Sequence, residues 1–393
     1  MEELEERQKP KKSQKRRSGT WNRRRVVLVL LLALLVVLTI AAIANRDRLT
    51  MGHFSRAIQY RDLGSPGHAA EFRFANLGSN TFASLGDGIA VASVGGLRLY
   101  DRSGSLAYTK AFEMTNPVIQ TAGNYVLAYD LGGFSLQTGN RREALVHIPE
   151  WDDRIIHASI NANGWIALSA EQIGTRGHVA VIDSQGNLRW HVQIGADSGH
   201  VIGAVLANNN RTVAVLTMTD TGSRILWYST DIAGRGDVAN YDYLREGEIF
   251  FDIWTTSSSG GVGVISKDMV LYLTPDGAVE SSYHFRDRHL RAYDIADGRV
   301  VLYLSTGQLD PGGELVVLDP DGSEQRIEIS GNLVDLSLKG RYLAALFADE
   351  LLIFRNTSRY TRFQETEGMS QVLMREDGTV FRLSQHRARL LVP

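Results

Sequence analysis

The chain of 393 residues contains no cysteine. That absence removes disulfides, thiolate metal sites, cysteine nucleophiles and lipid attachment through a cysteine. A domain of this size can bury enough apolar surface to do without covalent staples, so burial and sheet closure must hold it. Helical periodicity is equally scarce, because beyond residue 68 no stretch repeats its apolar residues at the helical spacing. Basic surface is missing as well. Past the first 25 positions there is no stripe of lysine and arginine of the kind that nucleic acid requires, so no nucleic-acid partner is expected.

What is present begins with one apolar run. Val26 to Ala44 carries no charged side chain and, as a helix, spans about 28 Å, close to the hydrocarbon thickness of a bilayer. Residues 1–25 hold ten basic side chains against four acids, a net +6 in a chain totalling −2, which leaves −8 for the remainder. The positive-inside rule then keeps the tail cytoplasmic and places the large domain on the other side of the cell membrane, with residues 26–44 in contact with lipid. Ala42-Ile43-Ala44 resembles a signal-peptidase site, which leaves a cleaved leader as the alternative. The long n-region and long apolar run argue against it. The expected organisation is a basic tail (1–25), a transmembrane helix (26–44), a juxtamembrane stalk (45–68) ended by Gly64, Pro66 and Gly67, and a β domain (69–393).

Beyond residue 68 the pattern is of short β runs separated by Gly, Asp and Asn turns. The runs recur at a spacing of about 36 to 47 residues, the range of four-stranded propeller blades. First strands fall near Phe82, Val118, His157, Val201, Glu248, Arg291, Leu333 and Val372, which predicts eight blades, with seven as the alternative if two units merge. The turns at Asp101–Gly104, Asp183–Gly186, Pro275–Gly277 and Asp319–Gly322 suit hairpins, with glycine supplying positive φ and the acid a side-chain acceptor. The last unit has room for only three strands, 371–374, 379–383 and 388–392. The alternating run Ala70-Glu71-Phe72-Arg73-Phe74-Ala75 belongs to no other unit and is expected to supply the fourth, closing the ring.

These repeats resemble the PQQ-like and WD40-like β-propeller superfamily, and Gly186-Asn187-Leu188-Arg189-Trp190 is similar to the glycine-to-tryptophan strand of PQQ-like blades. The basic tail and single anchor, followed by Phe112, Asn116-Pro117, Gly123–Val126 and Asp130–Gly133, also resemble an uncharacterised family of membrane-anchored propellers of Gram-positive bacteria. The resemblance implies an all-β, extracytoplasmic propeller without an assigned activity. Repeated tryptophan positions, an adjacent cysteine pair and the GH…WD signature are absent, so no quinone or other cofactor is expected.

No catalytic or metal constellation emerges. His284 and His289 stand an odd number of residues apart, which on an extended strand points them to opposite faces. The Asp-Pro-Asp-Gly turn lacks the remaining ligands of a calcium loop, Gly260-Gly261-Val262-Gly263 precedes no helix, and Arg235-Gly236-Asp237 is a three-residue coincidence.

One distributed feature survives. Propeller loops that join blade to blade, and second strand to third, emerge on one rim. Here they include Glu150–Arg154, Glu171–Gly177, Asp231–Glu248, Arg286–His289 and Ser305–Gly313. Trp151 beside Asp152 and Asp153, with Tyr241 and Tyr243 flanking Asp242, suits a sugar or peptide ligand. The expected function is a non-catalytic module that binds a protein, peptide or glycan of the cell envelope. The alternative is an envelope polysaccharide hydrolase or lyase using Asp152, Asp153 or Asp242 as acid and base.

Overall fold

The computed structural model describes residues 67–74, 79–231, 239–307, 312–364, 366 and 368–393. The expected tail, the anchor, the stalk up to residue 66 and the Arg235-Gly236-Asp237 triplet lie outside these residues. Among the described residues no helix is long and apolar enough to cross a membrane, and a 3-10 turn at Ala196–Ser198 is the one helical element.

Strands organise into eight antiparallel four-stranded sheets. In blades 1 to 7, spanning 81–110, 117–148, 155–193, 200–246, 250–284, 289–330 and 333–364, strand order in space is strand order in sequence. Blade 8 takes Gln371–Met374, Val380–Leu383 and Arg387–Val392, and its outermost strand is Gly67–Arg73. The chain is therefore an eight-bladed propeller, and each of the eight anchors read from the sequence falls within two residues of the start of a first strand.

Burial explains why the pattern was readable. A blade's second and third strands are paired on both edges and covered on both faces, so Gly88–Ser93, Ile166–Ala170, Val262–Ser266 and Met269–Leu273 are buried along their whole length. Fourth strands keep one edge in solvent and alternate, as in Leu188–Gln193 and Val279–His284. The acid-and-glycine turns cap the hairpins between third and fourth strands. Asp183 Oδ1 accepts the N–H groups of Gln185 and Asn187, both at 2.9 Å, and Oδ2 accepts Arg189 Nε–H at 2.6 Å. Although burial opposes ionisation there, these hydrogen bonds prevail and hold the carboxyl at about 2.

First strands of neighbouring blades lie side by side around the axis. In blades 3 to 7 the first strand carries a bulge at the same place, with Ile156, Ile202, Phe251, Arg291 and Val334 as the extra residues. Polar side chains beyond the bulges fasten blade 3 to 4 and blades 5 to 8 in succession. Ser159 Oγ donates to Ala204 O (2.9 Å) and Tyr293 Oη–H to Asp252 Oδ2 (3.0 Å). The N–H groups of Leu338, Val372 and Met374 donate to Asp294, Asp335 and Ser337 at 2.7, 2.7 and 3.0 Å. Each aspartate retains some solvent contact but lies deep in the ring, and desolvation pushes Asp294 and Asp335 up to about 6. His157 on the same circle is held at about 4, mainly by burial, and so stays neutral.

The closing strand runs antiparallel to Arg387–Val392, from Gly67 opposite Val392 to Arg73 opposite Arg387. It starts at Gly67, the glycine assigned above to the end of the stalk. Glu71 pairs with Arg389 (2.7 Å) and Arg387 (3.6 Å) across it. Phe74 then turns inward, 5% exposed, to join Ile89, Phe381, Leu383, Ala388 and Leu390 between blades 8 and 1.

Candidate functional site on the rim of blades 2 and 3

Loops between a fourth strand and the next first strand share one rim, here called upper, with loops between second and third strands. The Glu150–Arg154 loop joins Ala144–Ile148 to Ile155–Ile160 on this upper rim. Its position is fixed by neighbouring loops rather than by its own sequence. Trp151 N–H donates to Phe134 O (2.6 Å), Arg154 Nη1 to Gly132 O (3.1 Å), Gly132 N–H to Ile155 O (2.8 Å), and Glu171 N–H to Arg154 O (2.8 Å). On the other side Ser135 Oγ–H donates to Glu113 O (3.0 Å), and Asp130 Oδ1 accepts the N–H groups of Thr115 and Asn116 (2.8 and 2.7 Å). Four loops from three blades thus form one stitched surface.

Trp151 is half-buried, packs on the core of blades 2 and 3, and stacks on His178 with the rings 10° from parallel and centroids 6.3 Å apart. His178 in turn meets His191 edge-on at 5.8 Å. Burial and the neighbouring His191 lower the His178 pKa, and the opposing pull of Asp153 and Asp152 does not overcome them, so the imidazole is neutral near neutral pH. Asp152 is exposed and Asp153 partly so.

Apolar side chains that the sequence reading did not single out share this surface. Leu131 and Phe134 are 42% and 39% exposed, and Ile173 stands wholly in solvent. The Arg154 guanidinium lies over the Phe134 ring, 5.5 Å from its centroid. The signal was available: Leu131-Gly132-Gly133-Phe134 and Gln172-Ile173-Gly174 put large apolar residues inside glycine turns, where no core needs them.

Five lower-rim acids are ion-paired: Asp87 with Arg141, Asp183 with Arg189, Asp231 with Arg211, Asp297 with Lys339 and Asp319 with Arg299. Among the described residues, Glu113, Glu150, Asp152, Asp153 and Glu171 on the upper rim have no ion-pair partner.

Tyr241 and Asp242 do not join Trp151. They open the outermost strand of blade 4, Tyr241–Glu246, at its lower end, with Tyr241 opposite Trp227 and Asp242 paired with Arg224 at 3.1 Å. Asp231 follows the third strand and Asn240 precedes the fourth, which places both on the lower rim. An outermost strand with one face in water is polar enough to pass for a loop, which is why the sequence misled here. The carboxyls held near 6 are those of Asp294 and Asp335, both engaged by a neighbouring blade's N–H. Among the described residues no group of histidines and acids could hold a metal ion. A small, shallow cleft lined by Asp87, Tyr100, Asp101 and Arg141 lies on the lower rim of blades 1 and 2.

Residues 69–370 match the model of a family described as "Family of unknown function (DUF5711)". The chain belongs to this family. No curated protein matched the sequence. Among solved structures, the C-terminal WD40 domain of Sif2 superposes with a TM-score of 0.58 at 10% identity, covering 84% of this chain and 98% of its own. AztD from Citrobacter koseri does so at 0.53 and 13% identity, covering 76% and 88%. BamB from Moraxella catarrhalis gives 0.49 at 15% identity, covering 83% and 99%. The first two likenesses establish that this DUF5711 member has a propeller fold like theirs, and at such identities they establish the fold alone.

Proposed function

We propose that this DUF5711 protein is a membrane-tethered binding module of the cell envelope. Residues 26–44 form the anchor, residues 1–25 remain cytoplasmic, and the propeller stands outside and offers its upper rim at blades 2 and 3 to a partner. The observation that carries the reading is the stitched surface itself: exposed Leu131, Phe134 and Ile173 share it with Trp151 and unpaired carboxylates, on loops locked by hydrogen bonds. A rigid surface loses little freedom on binding, which favours recognition. The hydrolase or lyase alternative is not favoured, because Asp242 lies on blade 4, tied to Arg224 of the same blade, and the elevated carboxyls are occupied in the ring.

The absence of cysteine makes the test direct. Ser18→Cys and Ile173→Cys variants of the full chain are treated in intact cells with a membrane-impermeant maleimide. Labelling of Ile173→Cys with protection of Ser18→Cys is the expected result, and the reverse pattern overturns the topology. A photoreactive group at Trp151 then crosslinks the bound molecule in cells. Capture that is lost in the Asp152→Ala/Asp153→Ala variant locates binding on this rim, and capture unaffected by that variant removes it.

A further inference from the structure

The reading above leaves the partner's chemistry open. Resting on that reading, we infer that the rim of blades 2 and 3 receives a basic segment of another protein, one that carries lysine or arginine beside large apolar side chains.

Charge complementarity is the first argument. Glu113, Glu150, Asp152, Asp153 and Glu171 lie on loops joined by hydrogen bonds into one surface, and none has an ion-pair partner among the described residues. Two nearby arginines are already engaged. Arg154 is bound to Gly132 O and stacked on Phe134, and Arg176 Nη1 lies 2.5 Å from His200 Nε2. His178 is kept neutral beside Asp152 and Asp153, so it does not offset their charge. Elsewhere in the same domain Asp87, Asp183, Asp231, Asp297 and Asp319 are each paired with arginine or lysine. Five unpaired carboxylates on one stretch of the rim produce a local negative potential that attracts and orients a cationic partner.

Surface apolarity is the second argument, and it selects a protein segment over a glycan or a free polyamine. Leu131 and Ile173 are aliphatic, and exposed aliphatic side chains have nothing to offer sugar hydroxyls. They are satisfied by the apolar side chains of a peptide, with charged groups placed around the edge.

The test uses full-length protein in a zwitterionic detergent and three fluorescent peptides of equal length: alternating Lys-Leu, Lys-Ser and Glu-Leu. Anisotropy should report binding of Lys-Leu, weaker binding of Lys-Ser and none of Glu-Leu, with affinity falling as salt rises from roughly 50 to 500 mM. The variant Asp152→Asn/Asp153→Asn/Glu171→Gln should weaken Lys-Leu binding about tenfold, and Ile173→Ser should reduce the preference for Lys-Leu over Lys-Ser. Asp101→Asn/Asp276→Asn/Asp321→Asn on the lower rim, all at exposed turns, should leave binding unchanged. Equal losses from the upper and lower triple variants would mean that the peptide merely senses net charge, and would overturn the inference. So would equal binding of Glu-Leu. If photocrosslinking at Trp151 in cells captures a glycan or a segment without basic residues, the binding-module reading stands and the inference about its partner fails.

Discussion

Phe74→Ala tests how the ring is held shut. Phe74 follows the closing strand and is 5% exposed, its N–H donates to His386 O at 3.0 Å, and its ring lies 5.2 Å from Phe82 and 6.2 Å from Tyr100. It packs with Phe381, Leu383, Ala388 and Leu390 of blade 8 and Ile89 of blade 1, so it plugs the seam where the ring's two ends meet. Truncating a buried phenylalanine costs about 3–5 kcal/mol in transfer and cavity terms, and this site includes the loss of two aromatic contacts. Urea unfolding followed by tryptophan fluorescence should show that loss. Amide exchange should accelerate first in residues 67–73 and 387–392. Phe134→Ala, on the exposed rim, should cost less than about 1 kcal/mol. A Phe74→Ala protein destabilised no more than Phe134→Ala, or one whose exchange rises evenly over all blades, would refute the view that Phe74 secures the seam.

Further outcomes follow from the ring and its turns. Asp335 is pushed up to about 6 by burial, so its folded form holds the proton more tightly than the unfolded chain. Its contribution to stability is full below about 3.8 and is lost as pH rises through about 6, and Asp335→Asn should shrink the stability difference between pH 4 and pH 7.5 by roughly 1–3 kcal/mol. Asp183 has the opposite sign: held at about 2, it stabilises above 3.8 and ceases to do so as pH falls through about 2. Asp183→Ala should therefore cost about 1–2 kcal/mol at pH 7 in thermal unfolding and much less near pH 2. Gly263 faces Trp254 across the strand pair, and a Cβ there would overlap the indole whose Nε1–H donates to Gly298 O at 3.0 Å. Gly263→Ala should destabilise by about 1–3 kcal/mol and shift tryptophan emission, whereas Gly340→Ala, with open space around its Cβ but positive φ, should show no emission change.

The blades were legible because each second and third strand is buried on both faces, so Ile89–Ser93 or Met269–Leu273 reads as an uninterrupted apolar run bounded by turn residues. Turn chemistry at Asp183 and Asp319 was legible for the same local reason. The fastening of blade to blade was not. His157, Asp252, Asp294 and Asp335 stand in the sequence as lone polar residues within apolar strands, and their partners lie a full blade away, at Ala204, Tyr293, Leu338 and Val372. Trp151, Asp152 and Asp153 lie on a loop of the upper rim, as the sequence suggested. Tyr241 and Asp242, read as loop residues, lie in a strand of blade 4, because strand and loop look alike wherever one face of the sheet meets water.

Blade 8 also imposes an order on synthesis. Its outermost strand is made first and its partner more than 300 residues later, with Glu71 and Arg389 separated by 318 positions. At ordinary elongation rates that interval is roughly 15–60 s. Closing so long a loop costs roughly 5 kcal/mol of chain entropy, which the seam must outweigh when it finally forms. Throughout that time residues 67–73 are an unpaired edge, open to pairing with other chains. Glu71 and Arg73, charged and solvent-facing in the finished sheet, put like-charge repulsion in the way of identical strands stacking in register while the edge waits for residues 387–392 to emerge.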